Sequence, residues 1–144
     1  MEFTATYRFP SPVPAVWNLL MDPNAIAGCL PGCRELVPVG GDRYQAELTF
    51  SVAAISGTFE VTIALLDLMP PKSYRLSVEA TGKPGFARGS AFIQLQAVED
   101  GTEVIVSANA EAGGLIARVG QRLLDSVARM TMDGFFGCLA KRIG

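Results

Sequence analysis

The stretch Arg43–Leu65, RYQAELTFSVAAISGTFEVTIAL, alternates apolar and polar residues along most of its length. Tyr44, Ala46, Leu48, Phe50 and Val52 fall on one face, and Arg43, Gln45, Glu47, Thr49 and Ser51 on the other. A period of two belongs to a half-buried strand, whose successive side chains point to opposite faces. Ser56-Gly57 reads as a turn, after which Phe59, Val61, Ile63 and Leu65 continue the apolar face on a second strand.

The same period extends outward in both directions. Met69-Pro70-Pro71-Lys72 interrupts it, because proline cannot donate to a central ladder. Tyr74, Leu76, Val78 and Ala80 form the next inner row. The glycine-rich run Gly82–Gly89 separates it from Ala91, Ile93, Leu95 and Ala97, and Glu99-Asp100-Gly101 turns the chain into Val104, Val106, Ala108, Ala110 and Ala112. Towards the N-terminus, Phe3, Ala5, Tyr7 and Phe9 mark a first strand. Ser11-Pro12 then reads as an N-cap with proline at the first helical position. The short helix it opens carries Val13, Val16, Trp17 and Leu20 at helical spacing. Asp22-Pro23 repeats the signal for a second short helix, ended by Gly28.

Beyond Gly113-Gly114, the residues Ile116, Val119, Gly120, Leu123, Val127, Met130, Gly134 and Cys138 keep a helical period to the end of the chain. Arg118, Arg122, Asp125 and Arg129 take the opposite stripe, with Asp125 spaced to pair with Arg122 and Arg129. The expected fold is α+β, one domain over residues 1–144. A curved antiparallel sheet of about six or seven strands wraps around a C-terminal helix about 40 Å long. Two short helices follow the first strand.

Composition narrows the function. With 12 basic against 14 acidic residues, the chain has a net charge of −2 and no basic excess for phosphate neutralisation. Nucleic acid is therefore not an expected partner. No apolar run approaches the roughly 18 residues of a membrane span, and Met1–Phe9 shows no signal-peptide pattern. Three cysteines suggest a reducing compartment, cytoplasm by default, and no disulfide framework. Cys29 and Cys33 lack the partners of a zinc or iron–sulfur site, so no metal and no required cofactor are expected. Histidine is absent, which removes the commonest general base and every Ser-His or Cys-His pair. Glu47, Glu60 and Glu79 fall on outward positions, so no paired catalytic carboxylates are expected.

The long helix must bury its apolar stripe against the inner rows of the sheet. Large residues (Phe50, Phe59, Ile63, Leu76) dominate the earlier strands and small ones (Ala80, Ala91, Ala97, Ala108, Ala110, Ala112) the later ones, while Gly120 and Gly134 thin the helix. Two arrangements follow: either the helix approaches closely, or one end of the interior is left unfilled for a guest. In the second case the lining would be Phe50, Phe59, Ile63, Leu76, Val78, Ala80, Phe86, Ala91, Ile93, Ala108, Ala110, Val119, Leu123 and Val127, with Leu30 and Pro31 at the portal. Such a lining is nearly free of ionisable groups and suits a hydrophobic small molecule, aromatic or isoprenoid.

The order of elements resembles the START-like, polyketide-cyclase or helix-grip superfamily. Within it the chain is most similar to the G-subunit proteins of carbon monoxide dehydrogenase. The stretches that carry the resemblance are Phe9-Pro-Ser-Pro-Val-Pro-Ala-Val-Trp17-Asn-Leu-Leu with Asp22-Pro23, Cys29-Leu-Pro-Gly-Cys33, Gly85-Phe-Ala-Arg-Gly-Ser-Ala91, and Gly114-Leu-Ile-Ala-Arg-Val-Gly120-Gln-Arg-Leu-Leu124. The resemblance implies a non-catalytic accessory of a molybdenum hydroxylase of the carbon monoxide dehydrogenase type. It implies a bound quinone and peripheral contact with the inner face of the cytoplasmic membrane. Some relatives carry a C-terminal membrane anchor, which the ending Lys141-Arg142-Ile143-Gly144 does not show. The same superfamily implies an alternative, a cyclase or dehydratase acting on a small aromatic substrate, for which Tyr44, Tyr74 or Arg88 would have to reach the interior.

Overall fold

The computed structural model describes residues 1–33, 36–52 and 55–143. The elements are β1 (Glu2–Phe9), α1 (Val13–Met21), α2 (Pro23–Cys29), β2 (Val37–Gly40), β3 (Arg43–Val52), β4 (Ile55–Met69), β5 (Ser73–Gly82), β6 (Gly85–Val98), β7 (Gly101–Gly113), a 3-10 segment (Gly114–Val119) and α3 (Gln121–Ile143). The strands form one antiparallel seven-stranded sheet in the order β1-β7-β6-β5-β4-β3-β2. Consecutive strands pair as a meander from β2 to β7, and β1 closes the far side on β7. The helix-grip architecture expected from the patterning is the one observed.

The period-two reading holds because one face of each strand is covered. Phe9, Val104, Leu95, Tyr74 and Ile93 are buried, with Trp17 and Leu20 of α1 and Phe136 and Leu139 of α3 above them. Trp17 meets Tyr74 edge to face at 5.5 Å between ring centroids, a preferred aromatic arrangement. Thr102, fully buried, donates its hydroxyl hydrogen to the Ser11 carbonyl at 2.7 Å and joins the start of β7 to the entry of α1. Asp22 caps α2 as expected, accepting from the Asn24 N–H at 2.9 Å. Ser11 makes no such cap. Pro12 takes the N-cap position without a side-chain bond, and Pro14 lies in the first turn.

Two expectations about turns and phase are corrected. Ser56 and Gly57 lie within β4, opposite Ser51 and Phe50; residues 53–54 lie outside the described ones. Gly57, at φ +152°, serves close approach instead: a Cβ there would stand 2.8 Å from the Pro84 ring. In the run Gly82–Gly89, Lys83-Pro84 form the turn and the strand resumes at Gly85, the turn-then-strand order this run suggests. Finally, Gly120 (φ +97°) separates the 3-10 segment from α3, a helix of 23 residues and so about 35 Å long. That break resets the helical phase. Among the described residues of α3 the buried ones are Phe136 and Leu139, whereas Met130, Gly134 and Gly120 are exposed and do not face the sheet.

The expectation of no disulfide is also overturned. Cys29 and Cys138 are joined, with sulfurs 2.08 Å and Cα atoms 5.5 Å apart. The pair is 109 residues apart in sequence. They meet because the end of α2 and the C-terminal half of α3 pack over the same apolar cluster.

Candidate functional site

The apolar residues gather into two clusters that share Leu76. The first, described above, fills the end of the sheet covered by α1, α2 and the second half of α3. The second lies under the 3-10 segment and the start of α3. Its buried members are Leu48, Phe59, Val61, Ile63 and Ile116, four from β3 and β4 and one from the 3-10 segment. Around them the side chains are only half-buried: Phe50, Val78, Ala80, Ala87, Ala112, Val119, Leu124 and Val127.

The register explains this difference. Tyr74, Ile93 and Val106 line up across β5, β6 and β7 as a row of large side chains. Two rows nearer the open end read Val78–Gly89–Ala110 and Ala80–Ala87–Ala112. A sheet whose inner rows shrink from rings and branched chains to methyl groups leaves a cleft wherever the facing helix does not close in. Here α3 docks chiefly on α2, β1 and α1, at the sheet's β1 side.

The structure brings most of the expected lining together. Phe50, Phe59, Ile63, Leu76, Val78, Ala80, Val119 and Val127 meet in the second cluster, with Leu30 at its edge. Phe50 and Phe59 contact edge to face, 6.2 Å between centroids. Ile93 belongs to the first cluster and is 1% exposed, with Ala91 and Ala108 packed against that cluster. Ala110 and Leu123 are half-buried, and Ala97 is exposed. Phe86 is 38% exposed, its ring lying against Gly113 and beneath the Arg88 guanidinium. Pro31 is exposed. Sequence reading missed Ala87, Leu48, Ile116 and Leu124. Ala87 was legible: extending the strand of Ala91 back by two pairs of residues places it on the inner row.

Charge stays outside. Glu47, Glu60 and Glu79 are exposed, and Arg88 pairs with Glu111 on the outer face. Asp125 accepts from Gln121 at 3.0 Å, and among the described residues no ion pair joins it to Arg122 or Arg129. Among the described residues of the second cluster the titratable group is the Cys33 thiol, whose pKa burial raises. Burial likewise pushes the Tyr74 hydroxyl well above its ordinary value, so it stays protonated. Such a lining can hold an apolar guest and orient it through backbone groups, but offers little for proton transfer. Among the described residues no group of three or more His, Cys, Asp or Glu is placed to hold a metal ion. Among the same residues no helix is long and apolar enough to cross a membrane.

Two open depressions lie elsewhere. One, of about 580 Å³, runs along α3 at Asp133, Gly134, Gly137, Cys138, Lys141 and Arg142. The other, of about 350 Å³, crosses β5, β6 and β7 at Val78, Gly89 and Ala110 and is rimmed by the outward polar residues Ser77, Glu79, Arg88, Ser90, Asn109 and Glu111. Neither lies between α3 and the inner face of the sheet.

The CoxG family model, describing the G subunit of carbon monoxide dehydrogenase, matches residues 7–144. A conserved protein from Geobacillus kaustophilus superposes with a TM-score of 0.96 at 34% identity, over 99% of this chain and 95% of that one. More distant structures share the fold alone. Ara h 8.0201 has a TM-score of 0.76 at 12% identity, covering 99% and 97% of the two chains. The Zhui aromatase/cyclase from Streptomyces sp. R1128 has 0.70 at 14%, covering 99% and 93%. No curated protein matches the sequence.

Proposed function

Since the chain belongs to the CoxG family, that of the carbon monoxide dehydrogenase G subunit, we propose that it binds a hydrophobic small molecule of the quinone class and does not transform it. The site is the cleft under the 3-10 segment and the first half of α3. In this role it is an accessory of a molybdenum hydroxylase of the carbon monoxide dehydrogenase type, coupling that enzyme to the quinone pool at the inner face of the cytoplasmic membrane. The observation that carries the reading is the pair of small-residue rows, Val78–Gly89–Ala110 and Ala80–Ala87–Ala112, beside an apolar lining.

Magnitudes favour a tailed ligand. A quinone ring burying roughly 200 Å² gains about 5 kcal/mol at 25 cal/mol per Å², short of the roughly 8 kcal/mol of a micromolar complex. A prenyl tail adds about 0.8 kcal/mol per buried carbon and closes that gap. The cyclase reading finds less support. Arg88 lies on the outer face, and Tyr74 is enclosed against Trp17. Native mass spectrometry before and after organic extraction tests the proposal. A bound isoprenoid quinone, lost on extraction and regained on adding it back, is expected. A protein that carries no such mass and takes none up contradicts it.

A further inference from the structure

The groove along the outer face of α3 leads to the disulfide. Cys29 is buried, whereas Cys138 is half-buried and forms part of the groove wall. Gly134 stands one helical turn before Cys138, and a Cβ at Gly134 or Gly137 would meet nothing within 4 Å. Helical side chains lean towards the N-terminus, so the Cys138 side chain leans towards position 134, which carries none. Glycine is a poor helix former, and neither glycine is needed here for packing. Their effect is to leave the groove beside Cys138 free of side chains at these two positions.

The charges at the groove suit thiol chemistry. Lys141 and Arg142 line it, and the Arg142 guanidinium lies over Gly28, the residue before Cys29. Cations attract an incoming thiolate and stabilise the one that leaves. The carboxylate in the groove, Asp133, is engaged by the Tyr7 hydroxyl at 2.7 Å.

We propose that this groove is the approach by which a dithiol reductant cleaves the Cys29–Cys138 disulfide, and that cleavage frees the Leu30–Gly32 loop at the edge of the cleft. The reductant's thiolate attacks Cys138 Sγ, the Sγ–Sγ bond breaks, and Cys29 leaves as a thiolate that takes a proton from solvent. The reductant's second thiol then resolves the mixed disulfide and releases Cys138. Two electrons pass to the protein, and the reductant becomes a disulfide. The chain after Cys29 runs through Leu30 and Pro31 to Cys33, which bridges to Leu48 of β3, while Leu30 packs on the second cluster. The disulfide is the covalent tie between this segment and α3, so its loss lets the segment move. The second half of the proposal rests on the cleft being a binding site.

Reduction of the oxidised full chain by dithiothreitol without denaturant, followed by alkylation and intact mass, tests the groove. The wild-type protein is expected to gain two thiols faster than it globally unfolds by hydrogen exchange, and Gly134→Leu or Gly137→Leu to slow this about five-fold or more. Equal rates in wild type and both variants, or reduction only at the global unfolding rate, overturns the groove. Uptake of a prenylated naphthoquinone, followed by quenching of Trp17, tests the loop. Uptake about five-fold faster after reduction is expected. Equal uptake in both forms overturns the coupling alone, and no uptake in either overturns the cleft itself, leaving the reduction rates to decide the groove.

Discussion

Gly89 of β6 and Ala110 of β7 are direct cross-strand partners, and between them they supply a single methyl group to the sheet's inner row. Ala110 is half-buried, and it is packed against neither apolar cluster. In a vacant cleft, Ala110→Leu would leave stability within about 0.5 kcal/mol of wild type, because the new side chain enters open space. Quinone binding would weaken tenfold or more, roughly 1.4 kcal/mol. In a filled interior the same change would cost about 1–3 kcal/mol through overpacking. Urea denaturation and a binding titration on one variant separate the two.

The disulfide closes a long loop across a sequence separation of 109. Loop-closure entropy for such a span corresponds to about 4–5 kcal/mol, and measured losses of native disulfides run about 2–5 kcal/mol. Cys29→Ser and Cys138→Ser should each lower the urea midpoint accordingly, and reductant should add nothing further to either variant. A wild-type midpoint that reductant does not move would contradict this.

Tyr7 gives the fold an alkaline limit. Burial, its hydrogen bond to Asp133 and the Asp133 charge raise its pKa well above the ordinary 10.0, against an opposing effect of Arg129. The unfolded chain therefore loses that proton first. The stabilisation is complete below about pH 10 and fades as pH rises from there towards the folded value. Tyr7→Phe should flatten this alkaline decline while costing about 1 kcal/mol at neutral pH through the lost hydrogen bond. Its ring, stacked on Phe136 at 4.5 Å, is kept. Denaturant midpoints from about pH 8 to about pH 11 for both proteins provide the check.

Glycines divide by surroundings. Gly137→Ala places a methyl in open space on an exposed helix face and should stabilise by up to about 1 kcal/mol. Gly101→Ala should do the reverse, by several times that amount, because Gly101 sits at φ +151° and its Cβ would strike the Phe9 carbonyl. Thermal melts of the two variants should shift in opposite directions.

Period two made the sheet legible because six of its strands are long and covered on one face. The same rule misplaced the turns wherever glycine served close approach, as at Gly57 beneath Pro84. Helical phase was counted through Gly120, whose positive φ breaks it, so Phe136 and Leu139 escaped notice while Met130 and Gly134 were placed inward. The disulfide was hidden for another reason: no local pattern reports that the ends of two helices converge. Alternation alone puts Val78, Ala80, Phe59 and Ile63 on the inner face, where they meet in the second cluster. Ala87 needs only the strand after the Gly82–Gly85 turn to be followed back from Ala91.

The central claim is that the end of the sheet marked by Val78, Gly89 and Ala110 is open to an apolar guest. Titration of a prenylated naphthoquinone into methyl-labelled protein measures this directly. Saturable shifts are expected at the methyls of Leu76, Val78, Ala80, Ala110 and Val127, with those of Val104 and Leu139 in the first cluster unmoved. Shifts confined to exposed methyls such as Leu115, or none at saturating ligand, would contradict it.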